Sequence, residues 1–328
     1  MKRGDVERVV ALDWSGDRSA AGQRRKIWGG VWTRATDPAH REKAAVKGPA
    51  GRGSLVGDGS RLGVDGGLVR LEAGRTRDEV AEWLIAMARE TPRMVVGFDF
   101  CFSFPGWFVQ EMGCADAPAF WELVERRHGE LWLARECADA RFWGKAGAGR
   151  DGKRPAEFSG ERLHRMLRAT DIDCKIAAII PEAERAARVR GIAPKSVFQI
   201  GGAGAVGTAS LRGMPVLRRL REAGFRVWPF DEPDAAQPMV VEMYTRLNTG
   251  AVRKSNGEAR AAYLKRRRAE DAMYATLPRG VLAKARGSED AFDALVSLMV
   301  MTARRRQFAR LRMPKYPGYR VEGWTWAP

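Results

Sequence analysis

Several features are scarce in this 328-residue sequence, and each scarcity excludes a class of protein. No apolar run approaches the roughly 18 residues that a membrane-spanning helix needs, and none near the first residue predicts a signal peptide. The 3 histidines are too few for a histidine-rich metal site. The 4 cysteines form no Cys-x-x-Cys pair, which argues against a zinc knuckle or a thioredoxin-like site. Such scattered cysteines predict reduced thiols and a cytoplasmic protein.

Basic residues are abundant. Lys and Arg number 57 against 40 Asp and Glu, which gives a formal net charge of +17. This excess favours a polyanionic partner, and nucleic acid before a membrane surface. Hydrophobic residues make up 45% and charged residues 30% of the chain, values typical of a globular protein. The length predicts about two domain-equivalents.

Apolar and alternating runs predict an α/β fold, with a mixed sheet flanked by helices. Short runs of this kind predict strands near residues 9–12, 26–32, 67–73, 94–98, 225–230 and 239–244. The region between the fourth strand and the later ones is predicted to be a helical insertion. The sequence therefore predicts a first part of the core over 1–105, the insertion over 106–195, and the second part of the core over 196–328.

Acidic residues stand at the ends of apolar strands. Asp13 and Asp99 each end one predicted strand, and active-site groups of open α/β sheets gather at such strand ends. Glu242 lies inside another apolar strand, where burying an acid is costly unless it is paired or binds a cation. Each residue alone is also compatible with a solvated strand end or a turn, because Asp favours turns for local reasons.

The last predicted helix, from Glu289 to about Arg306, adds two acids on one face. Asp290 and Asp293 are spaced i, i+3, with small residues beside them and apolar residues opposite. Ser288 is the predicted N-cap, so Asp290 in the first turn would also simply complement the helix dipole. Asp293 lies further into the helix, where this simpler explanation applies less well.

Together these acids predict a divalent-metal site. Asp13, Asp99 and Asp293 are the predicted ligands of Mg²⁺ or Mn²⁺, because such ions prefer carboxylate oxygens and retain several waters. Asp290 would assist them, and Glu242 would be an outer ligand or would position a water. Two ions about 3.5–4 Å apart would bind the attacking and leaving oxygens of a phosphodiester.

At this point the sequence resembles the bacterial family of predicted RNase H-like nucleases, in the superfamily that includes RuvC-type resolvases. The resemblance rests on four short motifs spread over almost the whole chain: Ala11–Gly16, Gly97–Pro105, Val241–Tyr244 and Ser288–Leu295. It implies an RNase H-like fold and a metal-dependent nuclease that hydrolyses phosphodiester bonds in DNA or RNA. Cys101 and Thr245 stand where we expect proline in that family, and both lie at strand ends beside the predicted site.

Basic stretches offer candidate contacts to a nucleic-acid backbone. Basic charge near aromatic residues suits backbone tracking and base stacking. The candidates lie in a glycine-rich stretch and before a basic helix: Lys145, Arg150, Lys153, Arg154, Arg253 and Lys254. Each run alone is also compatible with a solvated surface. A non-catalytic nucleic-acid-binding protein on the same fold is therefore an alternative, and it would not need the acids.

A glycine-rich loop supports a different alternative. Gly202–Gly207 matches G-x-G-x-x-G after a predicted strand over 196–200, and Asp231 lies 24 residues after Gly207, as in an NAD- or nucleotide-binding site. Such a site needs a helix that opens at the glycines. We expect the helix to begin near Pro215 instead, which disfavours NAD binding. A sugar-kinase or actin-like ATPase is a further alternative, which the residues after Asp13 resemble only faintly.

Overall fold

The computed structural model describes residues 5–35, 67–147, 150–172, 195–202 and 204–328. It contains a mixed seven-stranded sheet with helices on both faces, together with a two-stranded hairpin. The strands are β1 Arg8–Asp13, β2 Trp28–Arg34, β3 Gly67–Glu72, β4 Met94–Phe98, β5 Ala146–Gly147, β6 Arg150–Asp151, β7 Arg226–Trp228, β8 Met239–Met243 and β9 Thr325–Trp326.

The described helices differ widely in length. They are α1 Ala20–Lys26, α2 Arg77–Glu90, α3 Gly106–Glu111, α4 Ala117–Leu123, α5 Gly129–Leu133, α6 Val206–Glu222, α7 Thr245–Thr249, α8 Gly257–Glu270, α9 Ala272–Ala275, α10 Arg279–Gly287, α11 Glu289–Ala303, α12 Arg305–Phe308 and α13 Tyr319–Glu322. None in the described part of the chain is long and apolar enough to cross a bilayer. The prediction of an α/β chain with a mixed sheet between helices is confirmed.

The order of the strands brings the carboxyl ends of β1, β4 and β8 to the same edge of the sheet. The order is β3-β2-β1-β4-β8-β7, with β9 also paired to β8. β1, β2 and β3 are antiparallel neighbours, whereas β4 lies parallel to β1 and β8 lies parallel to β4. Parallel strands end at the same edge, so residues that follow β1 and β4 become neighbours.

The two faces of the sheet are covered by different helices, because successive side chains of a strand point to opposite faces. On one face, the side chains of Val10, Leu12 and Phe98 belong to the core that includes α2 and α6. On the other face, Ala11 and Met243 pack with residues of α11. The position of a residue in its strand therefore decides which of the two layers it faces.

Local sequence explains where the principal helices begin. Thr76 and Glu79 form a reciprocal capping box at the start of α2. Ser288 caps α11 by accepting a hydrogen bond from the Ala291 amide. Gly30 in β2 allows α11 to approach the sheet closely, since a Cβ there would lie 3.1 Å from the Ala294 carbonyl oxygen.

The predicted helix start at Pro215 is wrong. Helix α6 begins at Val206 and passes through Pro215. A proline inside a helix removes one backbone hydrogen bond. The buried apolar face of α6, including Leu211, Leu217 and Leu220, offsets that loss by its packing against the core.

Two other predictions differ in part from the structure. Residues 196–200 form no strand, and Gln199 makes only an isolated bridge with Trp143. The described part of the predicted insertion contains short helices, one π-helical turn, the β5–β6 hairpin and two 3₁₀ helices, rather than long helices alone. Residues 173–194 of that region lie outside the described residues.

Candidate active site

Asp13 and Asp99 are neighbours at the carboxyl edge of the sheet. Leu12 pairs with Phe98 in the parallel β1–β4 register, so the next residue of each strand is an aspartate. The Asp99 amide extends this ladder by donating a 3.1 Å hydrogen bond to the Leu12 carbonyl. Both aspartates follow Ala11 and Gly97 at alternate positions, which turns them to the face that α11 covers.

Helix α7 fixes the carboxylate of Asp99. Thr245 donates from its amide to Oδ1 at 3.2 Å and from its hydroxyl to Oδ2 at 2.8 Å. Thr245 is one of the two positions where the resemblance leads us to expect proline. A proline would supply neither of these hydrogen bonds, since it has no backbone N–H and no hydroxyl. This departure therefore strengthens the orientation of an acid in the site.

Helix α11 brings Asp293 to the same face. Asp293 is 1% exposed, yet its Oδ1 atom has no hydrogen-bond partner among the described residues. A buried acceptor without a partner is costly, and such an atom calls for a cation or a water. Asp290 lies one turn earlier and is half-buried. The structure therefore brings Asp13, Asp99, Asp290 and Asp293 into one electrostatic group.

A lysine enters this group from the segment before α8. The ammonium of Lys254 donates to Asp293 Oδ2 and lies 3.4 Å from a carboxylate oxygen of Glu289. The backbone of Lys254 is fixed by Arg260, which is buried and donates to the Lys254 carbonyl and to the Arg286 carbonyl. We predicted Lys254 as a contact to nucleic acid, and that stays a prediction; in the structure its ammonium lies against the acids.

Burial and the neighbouring charges shift the pKa values of these groups. Burial, and then the charges of Asp293 and Asp99, raise the pKa of Asp13 well above its usual range. Burial raises the pKa of Asp293 to about 6, against the opposing attraction of Lys254. Burial and the charge of Glu289 raise the pKa of Asp290. Although burial acts in the opposite direction, Asp293 and Asp13 raise the pKa of Lys254. The acids outnumber the lysine, so the site favours an additional cation.

The carboxylate oxygens of these acids suit Mg²⁺ or Mn²⁺, although they do not form a complete coordination shell in the described residues. In the described residues, no three His, Cys, Asp or Glu side chains are already grouped closely enough to hold an ion. Mg²⁺ commonly takes only one or two protein carboxylates and keeps waters as its other ligands. Asp13, Asp99 and the unpartnered Oδ1 of Asp293 are carboxylate donors of that kind.

Glu242 lies away from these acids. It is paired in register with Phe98, so its side chain points to the face opposite that of Asp13 and Asp99. Both oxygens of Glu242 accept 2.7 Å hydrogen bonds from the guanidinium of Arg168, and Oε2 also accepts from the Phe102 amide. The structure therefore corrects the expectation that Glu242 helps to bind a metal, because its carboxylate is engaged in a buried ion pair.

The other predicted basic contacts lie in two places. Lys145, Lys153 and Arg154 are exposed at or beside the β5–β6 hairpin, and Arg150 is in β6. Arg253 is exposed immediately before Lys254. These positions are consistent with a basic surface, and only the segment containing Arg253 directly adjoins the acids.

The glycine-rich loop meets one requirement of a dinucleotide site and lacks another. Gly202 and Gly204 have positive φ angles of 75° and 81°, and α6 opens directly after them, contrary to our expectation. The strand that should precede the glycines is absent, however, because residues 196–200 form no strand. Asp231 is occupied locally, because it accepts from Arg221 and from the Val227 amide. The geometry thus does not favour NAD binding by this loop.

Sequence reasoning did not predict Arg260, which fixes Lys254, and it named Thr245 only as a departure from the family's pattern, without its role in orienting Asp99. Thr245 carried a usable signal, since it lies two residues after the end of β8, whereas nothing near Arg260 marks its two buried carbonyl contacts. Comparison of the chain with protein-family models, with curated proteins and with solved structures yields no match in any of the three.

Proposed function

We propose that this protein is a divalent-metal-dependent nuclease that hydrolyses phosphodiester bonds in DNA or RNA. The observation that carries the proposal is the electrostatic coupling of Asp13 and Asp99, at the ends of β1 and β4, with Asp293 of α11, whose buried Oδ1 atom has no partner among the described residues. The antiparallel β1–β2–β3 meander, with β4 and β8 parallel to β1, supports the RNase H-like interpretation of this core.

Each residue of the site has a distinct role in this proposal. Asp13 and Asp99 would hold Mg²⁺ or Mn²⁺ from adjacent strands, and Asp293 would complete the ligands from α11. When bound, such an ion supplies an activated water and neutralises charge on the phosphate. Thr245 keeps the Asp99 carboxylate in one orientation through two hydrogen bonds. Asp290, in the first turn of α11, adds negative charge beside these ligands.

The net charge of +17 explains how such an acidic site would receive a polyanion. Four exposed basic residues would contact phosphates away from the scissile bond: Lys145, Lys153, Arg154 and Arg253. Their long-range attraction for the substrate would be screened by salt. The same residues would serve a non-catalytic nucleic-acid-binding protein. The two functions differ in whether binding and cleavage depend on the acids.

The test is cleavage and metal binding by the wild type, Asp13→Asn and Asp99→Asn. Single-stranded DNA, duplex DNA and RNA would be incubated with Mg²⁺, Mn²⁺ or EDTA, and metal affinity measured by calorimetry. Asp78→Asn is the matched control, because Asp78 lies on α2 with its side chain 87% exposed.

We expect metal-dependent cleavage by the wild type and by Asp78→Asn, and a loss of at least about a hundredfold in both site variants. Tight nucleic-acid binding with neither cleavage nor metal binding would refute the nuclease and favour the binding protein.

A further inference from the structure

We propose that Lys254 is an internal counter-cation, which competes with the divalent metal for Asp293 and moves toward the phosphate of the substrate once the metal is bound. This inference rests on the proposed function and deepens it by assigning a part in the reaction to a residue outside the predicted ligands. Lys254 would thus stabilise the site in the absence of metal and stabilise the substrate in its presence.

The contacts of Lys254 place its ammonium where a metal would bind. It donates to Asp293 and lies 3.4 Å from Glu289, so it already satisfies one side of the acidic group. The Lys254 side chain is 29% exposed, whereas the side chain of Asp293 is 1% exposed. Lys254 is therefore the more accessible member of the pair, and a divalent ion would compete with its ammonium for the Asp293 carboxylate.

The backbone around Lys254 is fixed by contacts that do not involve its side chain. Arg260 donates to the Lys254 carbonyl at 2.5 Å and to the Arg286 carbonyl at 2.7 Å, which joins the segment before α8 to the end of α10. Asn256 caps α8 two residues after Lys254 by accepting from the Ala259 amide. A lysine side chain has four flexible methylene groups. Its ammonium can therefore change partners while the chain that carries it stays in place.

Charge decides which cation Asp293 accepts. An ammonium and a divalent ion repel each other strongly at separations of a few ångströms in a partly buried site. Both cannot use the Asp293 carboxylate at short range without a large cost, so binding of the ion disfavours the Lys254–Asp293 contact. The released ammonium remains beside a site that binds phosphate, where it donates hydrogen bonds to a new anion.

The first experiment measures Mg²⁺ affinity by calorimetry for the wild type, Lys254→Gln and Arg253→Gln. The two variants remove one positive charge from adjacent residues, but Arg253 is exposed and Lys254 lies against Asp293. We expect Lys254→Gln to bind Mg²⁺ about tenfold more tightly, and Arg253→Gln to change the Kd by less than about twofold. At saturating Mg²⁺, Lys254→Gln should nevertheless cleave nucleic acid more slowly.

A second experiment uses the wild type, because Lys254→Gln leaves buried acids without their cation and therefore can fail to fold. Lysines would be reductively methylated with and without Mg²⁺, and the extent at Lys254 and at exposed Lys153 measured by peptide mass spectrometry. We expect Mg²⁺ to increase methylation of Lys254 several-fold, because the ammonium leaves Asp293, and to leave Lys153 unchanged.

The outcomes separate this inference from the proposed function. Tighter Mg²⁺ binding by folded Lys254→Gln, together with metal-enhanced methylation of wild-type Lys254, supports the counter-cation. Mg²⁺ binding by the wild type, with unchanged affinity in a folded variant and unchanged methylation, overturns the counter-cation and leaves the nuclease intact. If neither protein binds Mg²⁺ or Mn²⁺, the metal-dependent function fails, and the inference fails with it.

Discussion

Asp13 shows how residues that suit a metal reduce the stability of the protein without one. Its carboxyl lies close to Asp99 and Asp293, and burial together with these charges raises its pKa well above the usual range. Near neutral pH, ionisation of Asp13 in the folded protein therefore costs more than it does in the unfolded chain. Binding of a cation would remove this penalty.

Replacement of Asp13 by Asn is expected to stabilise the metal-free protein by about 1 kcal/mol, because it removes a carboxyl group whose ionisation burial and the neighbouring acids make costly in the folded state. Urea unfolding at pH 7 in EDTA measures the effect, with Asp78→Asn as a control that should stay within about 0.5 kcal/mol of the wild type. Excess Mg²⁺ should reverse the order, since only the wild type gains from binding. A less stable metal-free Asp13→Asn would contradict the expected repulsion.

Asp293 makes the stability of the metal-free protein depend on pH. Its pKa of about 6 in the folded protein lies above the usual aspartate value near 3.8. The folded state therefore binds its proton more tightly than the unfolded state, and the contribution is fully present below pH 3.8 and lost as the pH rises through 6. The full loss for this group is about 3 kcal/mol.

Urea unfolding between pH 4 and pH 7.5, with and without saturating Mg²⁺, would measure how the free energy of unfolding changes with pH. The part of that change that Mg²⁺ suppresses is assigned to the acidic group. Carboxyl ¹³C NMR of aspartate-labelled protein would assign the pH dependence to Asp293. We expect one carboxyl resonance that titrates near pH 6 in the wild type and is absent from Asp293→Asn. A resonance of Asp293 that titrates near 4 would show that Lys254 outweighs burial.

At the scale of elements, the site depends on how closely α11 approaches the sheet. Gly30 in β2 faces the Ala294 carbonyl and the Leu298 side chain, and a Cβ there would lie 3.1 Å from each. A larger residue would push the helix outward and carry Asp293 away from Asp13 and Asp99. The spacing of the acids is therefore set partly by a residue that has no side chain.

Gly30→Val is expected to lower the free energy of unfolding by 1–3 kcal/mol, as overpacking generally does, and to weaken Mg²⁺ binding in the protein that still folds. Gly280→Ala is the control: it lies in α10 with nothing within 4 Å of an added Cβ, so it should stabilise by about 0.5–1 kcal/mol. Unfolding and calorimetry on both variants measure the two effects. Unchanged Mg²⁺ affinity in Gly30→Val would separate α11 from the metal.

Elements with strong local signals could be predicted from the sequence. β4 is a short, fully buried apolar strand, and it was predicted over the residues that form it. Helix α11 begins at Glu289 with Ser288 as its N-cap, as predicted. The start of α6 could not be predicted, because its packing against a distant core outweighs the local effect of Pro215. Propensity is a weak guide wherever tertiary burial decides.

The candidate site was predictable only in part, for a related reason. Asp13 and Asp99 end parallel strands, and that local pattern already implies that they meet. Nothing local showed that Lys254 would contact Asp293, which is 39 residues away. Likewise the partner of Glu242, Arg168, is 74 residues away. Long-range ion pairs leave no mark on the sequence near either member.

At the scale of the whole molecule, Glu242 joins three distant segments. Its carboxylate accepts from Arg168 and from the Thr325 hydroxyl, and Arg168 also bonds Asp171 and the Glu322 carbonyl. The central strand β8 is thereby tied to residues 168–171 and to the region around β9. This network lies on the face of the sheet opposite the acidic group.

Glu242→Gln is expected to lower the free energy of unfolding by 3–5 kcal/mol, because it leaves the buried guanidinium of Arg168 with one carboxylate fewer. The Mg²⁺ affinity of the folded fraction should stay within about twofold of the wild type, since the network does not reach Asp13. Thermal unfolding and calorimetry test the two parts separately. A stable Glu242→Gln with weakened Mg²⁺ binding would restore Glu242 as a metal-binding residue.

The spacing of the acidic group along the chain has a consequence for biosynthesis. Its acids come from positions 13, 99, 290 and 293, and the lysine that contacts it comes from position 254. During translation the first two are made long before the last, and α11 cannot dock until its own residues, Glu289–Ala303, have left the ribosome. A nascent chain that grows beside messenger RNA thus carries a basic surface without an assembled acidic centre. Under the proposed function, cleavage of nucleic acid would be confined to chains in which α11 has docked.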